Sequence, residues 1–241
     1  MKTERHQPAW SGFDCYLFDI DGTLLNSRDG VHYNAFHSAL RVVWSVEERI
    51  DNVPVHGNTD IGILRATAER AGVFDAVFQE RLPRALEVMR NEVARNANEM
   101  RPQLCPDISQ TLGWLRQTGK LLGVVSGNLE AIGWTKLAAA GIRDFFSFGS
   151  FSDSNEAREA IFRAGIAQAR TRLSRNATIC FIGDTPADIA AAKALGLPVL
   201  AIATGIYTRD QLQPHSPDYC VDCCTELLDE VRGGADELKP R

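Results

Sequence analysis

Short, almost unbroken apolar runs recur along this chain, separated by longer stretches in which apolar residues return every three or four positions. The runs at 14–18, 121–125, 177–182 and 198–202 are four to six residues long, the length and continuity of strands covered on both faces. A shorter run at 145–148 predicts another strand, and 219–221 a last short one. The intervening stretches predict helices. Residues 107–117 place Ile108, Leu112 and Leu115 on one face before Gly119; 129–140 stop at Gly141; 155–173, 187–195 and a segment from Thr225 complete the set. Strands alternating with helices imply right-handed βαβ crossovers, so the expected fold is α/β: a doubly wound, mostly parallel sheet.

The alternation fails between residues 26 and 103. Asn26 to Gly30 is rich in turn formers, and no convincing strand follows. A helix is predicted over 31–45 from the spacing of Tyr33, Phe36, Leu40, Val43 and Trp44, a loop over 53–60, and a helix capped by Thr59 or Asp60 that runs to Ala71. A further helical stretch, 74–100, is expected to end or kink at Pro83. This is too much chain for a simple crossover and predicts an inserted α-helical cap. The expected division is a tail at 1–13, a core built from 14–25 and 104–232, a helical cap at 26–103, and a mobile tail at 233–241. His32 and His37 read as ordinary helix residues.

The apolar runs at 15–18, 121–125 and 179–182 all end in polar, turn-forming residues. The first is followed by Asp19, Asp21, Gly22 and Thr23, the second by Ser126, Gly127 and Asn128, and the third by Gly183 and Asp184, with Asp188 four residues on. Ligands of a parallel α/β sheet bind beyond the carboxyl ends of the strands, so these groups converge. Asp19 and Asp21, two apart on extended chain, point roughly the same way. They suit a nucleophilic carboxylate, a neighbouring acid/base and a divalent cation. Any one of these stretches alone reads equally well as a strand-end turn.

Together and in this order, the motifs resemble those of the haloacid dehalogenase-like hydrolases, over roughly residues 14–231. The resemblance implies that Asp19 attacks phosphorus, and that Asp21 protonates the leaving alcohol and then activates water. It further implies that Asp19, Asp184 and the backbone carbonyl of Asp21 hold Mg²⁺ while Asp188 orients the metal's surroundings. Ser126 and the Gly127 amide would bind the phosphoryl oxygens, with Thr23 and Asn128 assisting. The loop at 57–60 looks like one that such caps direct at the site, which makes His56 and Asn58 candidate substrate contacts; the alternative for this loop is a plain helix cap. The family's third motif is normally a lysine, and residues 145–177 contain none. Arg158 is the substitute by position, with Arg163 second.

The implied activity is a Mg²⁺-dependent phosphatase of a small phosphomonoester, like the phosphoglycolate phosphatase branch. A sugar phosphomutase of the β-phosphoglucomutase type and a catalytically silent binding protein are the alternatives. Asp21 speaks against dehalogenation, which has no leaving alcohol to protonate.

Bulk properties narrow the setting. A net charge of −5 and a pI near 5.6, with no basic stripe, argue against a nucleic-acid partner. The polar first dozen residues lack the apolar centre of a signal peptide, and no run reaches the roughly 18 apolar residues of a membrane span. The expectation is a cytoplasmic enzyme, monomeric or homodimeric. Cys15 and Cys180 fall in strands as small hydrophobes. Cys220, Cys223 and Cys224 read as free thiols, since no second ligand pair lies near enough in sequence to complete a zinc site.

Overall fold

The computed structural model describes residues 9–27 and 29–236. In chain order its elements are β1 (Cys15–Phe18), β2 (Leu25–Ser27), α1 (Val31–Trp44), α2 (Asp60–Arg70), α3 (Asp75–Arg95), β3 (Pro102–Leu104), α4 (Ile108–Gln117), β4 (Leu121–Val125), α5 (Glu130–Ala139) and β5 (Phe148–Ser150). There follow α6 (Arg158–Arg172), β6 (Ile179–Gly183), α7 (Pro186–Ala194), β7 (Val199–Ile202), α8 (Arg209–Leu212), β8 (Tyr219–Val221) and α9 (Cys224–Asp236).

The two-residue period of the strands builds a sheet buried on both faces. Its order is β5-β4-β1-β6-β7-β8, every pair parallel. Tyr16, Phe18, Val124, Cys180, Ile182, Leu200 and Ile202 point to one side and pack with α4 and α9 through Ile108, Leu112, Leu115 and Leu227. Cys15, Leu17, Val125, Ile179, Phe181, Val199 and Ala201 point to the other and pack with α6 and α7 through Ile161, Phe162, Ile166 and Ile189. This is the doubly wound α/β sheet that the alternation implies, and its helices leave the carboxyl edge open.

Helices α1, α2 and α3 form a separate cluster in which Phe36, Leu40, Leu64, Phe78, Leu86, Met89 and Val93 meet. The chain reaches and leaves this layer through a feature the sequence did not predict. Leu25–Ser27, expected to lead into a turn, and Pro102–Leu104, for which no element was expected, pair antiparallel as a three-residue ribbon.

Pro83 does not break α3, which runs unbroken over 21 residues. Pro83 is exposed, and so is Gln79, the residue four back whose carbonyl loses its partner. The ~3 kcal/mol that an interior proline costs is offset by burying Phe78, Leu86 and Met89, each contributing about 1.5–3 kcal/mol.

Smaller departures have local causes. The strand expected at 145–148 is displaced to Phe148–Ser150, because Arg143–Phe145 closes a 3-10 turn after Gly141. Helix α6 starts at Arg158, three residues late, since Ser152–Ser154 is a 3-10 turn and Asn155 and Ala157 are extended. Residues 9–13 are no tail: Trp10 is 2% exposed, its carbonyl accepts from Tyr16 Oη at 2.8 Å, and its ring packs on Trp114. Helix α9 continues through Gly233 to Asp236; the rest of the expected tail, and residues 1–8, lie outside the described residues. All six cysteines are free, with Cys224 buried in the core. No helix among the described residues is long and apolar enough to cross a membrane.

Candidate active site

The ends of β1, β4 and β6 deliver the site. Asp19 is the last residue tied to the sheet, its amide donating to Ile182 O at 2.9 Å, and its side chain projects past the edge while remaining 6% exposed. Gly22, at φ +88°, turns the chain in a conformation that a side chain disfavours. The turn brings Thr23 Oγ1 to 3.1 Å from Asp184 Oδ1, to which it donates. Ser126 follows β4, its amide bonded to Ser150 O. Asp19, Ser126 and Asp184 share a cavity of about 270 Å³ with Asp21, Gly127, Asn128 and Arg158; Thr23, expected to assist at the phosphoryl group, is buried behind Asp184 and does not line it.

Three buried carboxylates, Asp19, Asp184 and Asp188, bring oxygens within 4.8 Å of one another. Burial raises the pKa of Asp19 against the pull of Arg158, and the carboxylates of Asp188 and Asp21 push the same way as burial. Asp184 is raised by burial, then by Asp188 and Asp19. Such mutual repulsion is what a divalent cation relieves.

Asp188 has both oxygens committed. One accepts from Arg158 Nε at 3.0 Å and from Arg158 Nη2; the other accepts from the Thr185 amide and hydroxyl at 3.0 and 2.7 Å in the capping box that starts α7. This leaves Asp19 and Asp184 to face an ion. A Cβ at Gly22 or at Gly205 would collide with the Asp184 carboxylate, so both glycines keep its surroundings open. The all-oxygen donor set fits a hard cation such as Mg²⁺.

Arg158 opens α6 and lies between the acids, Nη2 standing 3.3 Å from Asp19 Oδ2 as well as bonding Asp188. Arg163, five residues on and so on another face of the helix, is exposed and does not line the cavity.

Sequence reasoning missed Lys136. It is 3% exposed, and its ammonium lies 2.8 and 2.7 Å from the two oxygens of Asp21 and 2.8 Å from Asn128 Oδ1. Asn128 Nδ2 in turn donates to Asp21 Oδ2 and to Ser126 Oγ, both at 2.8 Å. Burial alone would raise the pKa of Asp21, but the charge and hydrogen bonds of Lys136, with Asn128, hold it below the usual carboxylate range. A signal was present: Ile132 and Lys136 are one turn apart, which places the lysine on the apolar stripe of α5 with Gly133 and Leu137.

From the helical layer, the loop before α2 meets the residues after β4. The Asp60 amide donates to Gly127 O at 2.8 Å, and Asp60 Oδ2 accepts from the Leu129 amide at 2.8 Å. Gly127 permits this approach, since a Cβ there would strike Asn58 O. Arg65 pairs with Glu156 at 2.8 Å, and Arg90 with Asp153 at 2.7 Å. His56 and Asn58 both line the cavity. His56 is exposed, whereas Asn58 spends its amide within its own loop, accepting from the Thr59 amide and donating to Pro54 O. His32, read from sequence as an ordinary helix residue, also lines the cavity, with Nε2 3.2 Å from Asp60 Oδ2.

Comparison with known proteins points the same way as the geometry. Residues 13–196 match the model of a hydrolase family, described as haloacid dehalogenase-like hydrolase. A curated protein of Dickeya dadantii, named "Probable phosphatase IndB", is 27% identical over 217 residues, covering 88% of this chain and 90% of that one. Phosphoglycolate phosphatase of Escherichia coli O157:H7 is 25% identical over 233 residues, covering 88% and 89%. Among solved structures, β-phosphoglucomutase of Clostridium difficile shares the fold, with a TM-score of 0.67 and 17% identity over 93% of this chain and 98% of that one.

Proposed function

The chain belongs to the haloacid dehalogenase-like hydrolase family, and we propose that within it the protein is a Mg²⁺-dependent phosphatase of small phosphomonoesters. The observation that carries this reading is the buried Asp19 carboxylate, which faces one cavity together with Asp21, Ser126, Arg158 and Asp184. Mg²⁺, held by Asp19, Asp184 and the Asp21 carbonyl, would offset the charge of nucleophile and phosphate.

The chain's own residues account for the two displacements. Asp19 attacks phosphorus through a carboxylate oxygen as the bond to the alkoxy oxygen breaks, and Asp21, a carboxylate in the empty site that must take up a proton as the anionic substrate binds, delivers that proton to the departing alcohol. In the second step a water gives its proton to Asp21 and its oxygen to phosphorus, releasing orthophosphate and restoring Asp19. Arg158 and Ser126 stabilise charge on the phosphoryl oxygens, with the Gly127 amide a further donor and Thr23 holding Asp184 in place. Residues 26–103 act as the cap and 14–25 with 104–232 as the core, the short ribbon joining them. The phosphatase names of the curated relatives favour water over a second sugar hydroxyl as the acceptor.

Orthophosphate release from a panel of phosphorylated metabolites tests the proposal. Turnover should require Mg²⁺ and stop with a chelator. Asp19→Asn should be inactive yet still folded, as its circular dichroism spectrum would show, since the amide is a poor nucleophile and the strand end needs no charge to form. Appreciable turnover by a clean Asp19→Asn preparation overturns the assignment.

A further inference from the structure

Lys136 lies outside every motif that suggested the site, yet its ammonium is buried against two of the site's residues. An ammonium has three hydrogens and no acceptor, so every oxygen or nitrogen within bonding distance of it must accept. An asparagine amide is nearly the same shape with oxygen and nitrogen exchanged, and packing alone does not choose between the two orientations. A donor-only partner 2.8 Å away does choose: Asn128 must turn its oxygen to Lys136.

The rest follows from that orientation. The NH₂ of Asn128 then lies 2.8 Å from both Asp21 Oδ2 and Ser126 Oγ, which accept. Ser126 Oγ also lies 3.4 Å from the backbone N–H of Asn128, again as acceptor. Its own hydrogen has no protein acceptor among the described residues, and the residue lines the cavity. That hydrogen is left for an oxygen of the ligand.

We propose that Lys136 is a positioning residue: by fixing the Asn128 amide it makes Ser126 a donor toward the phosphoryl group and anchors the Asp21 carboxylate beside it. This role rests on the phosphatase reading only in naming the ligand as a phosphoryl group. With the amide reversed, an Asn128 oxygen would draw the Ser126 hydrogen to itself, and oxygen would confront oxygen at Asp21.

Two variants test the chain of contacts. Lys136→Met frees the amide to reverse. Asn128→Asp keeps Lys136 satisfied by a carboxylate, so it retains the fold, but it cannot donate and captures the Ser126 hydrogen. Both should lower kcat by about 10- to 100-fold while KM stays within about threefold, less than the about 10²- to 10³-fold for removing a donor outright, because Ser126 itself remains. The double variant should be within about threefold of the worse single one, because both act through one hydrogen-bond chain. Unaltered kcat in Asn128→Asp, or a double loss equal to the product of the single losses, overturns the proposal, and the first result stands even if Lys136→Met fails to fold.

Calorimetric titration with orthovanadate, a mimic of the transferring phosphoryl group, gives a readout independent of turnover. Affinity should drop about tenfold in both variants, and equal affinity refutes the role. A wild-type protein that binds vanadate with this pattern yet hydrolyses no phosphomonoester would refute the phosphatase reading and leave the positioning role standing.

Discussion

Arg158→Ala removes the guanidinium that lies between two buried acids, and its effect can be worked from the distances. The Asp19 oxygen is 3.3 Å away, and the side chains of Arg158 and Asp19 are only 11% and 8% exposed, so solvent screens the pair little. At an effective dielectric constant of about 20 the gross attraction at this separation is roughly 5 kcal/mol. Desolvation of the arginine takes back part of it. Breaking buried pairs typically costs about 3–5 kcal/mol, and Asp188 loses its partner in the same change. We expect a stability loss of about 3 kcal/mol by denaturant titration, and a fall in kcat/KM of about 10²- to 10³-fold, the range for losing one group that stabilises transition-state charge. Arg158→Lys should recover part of each, because a single ammonium does not reproduce a fork that spans two carboxylates. Arg163→Ala, on the exposed face of the same helix, should change stability by less than about 0.5 kcal/mol and leave kcat unaltered. If Arg158→Ala and Arg163→Ala behave alike in denaturation and in hydrolysis of p-nitrophenyl phosphate, the role given to Arg158 is wrong.

Asp21→Asn should slow hydrolysis most for esters with poorly departing alcohols and least for p-nitrophenyl phosphate, and should leave some phosphorylated Asp19 visible by mass; equal losses with no trapped adduct would leave Asp21 without its proton-transfer role. At the far end of β1, the amide and hydroxyl of Thr178 hold the Asp14 carboxyl below the usual range. Its contribution to stability is therefore present above the unfolded value, near 3.9, and is lost as pH falls through the lower folded value. Between about pH 5 and pH 2 the wild type should lose more stability than Asp14→Asn, and parallel acid-denaturation curves would contradict this.

The apolar runs by themselves determine the sheet, because a strand buried on both faces must be apolar at every position, a local property of the sequence. The same runs located Asp19, Ser126 and Asp184, since a carboxylate or hydroxyl directly after such a run has nowhere to go but the sheet's edge. Arg158 was reachable by order along the chain, although its contacts with Asp19 and Asp188 were not.

What stayed hidden depends on partners distant in sequence. Leu25–Ser27 and Pro102–Leu104 are too short to show a period and become strands only by pairing with each other. Pro83 keeps its helix because Phe78, Leu86 and Met89 are buried against other helices, an energy absent from any local propensity. Lys136 looks like any helix lysine until its helix packs. Its partner Asp21 is 115 residues away, and only the tertiary structure puts the ammonium against that carboxylate, because desolvating a charge is tolerable solely where an opposite charge and hydrogen-bond acceptors are already in place.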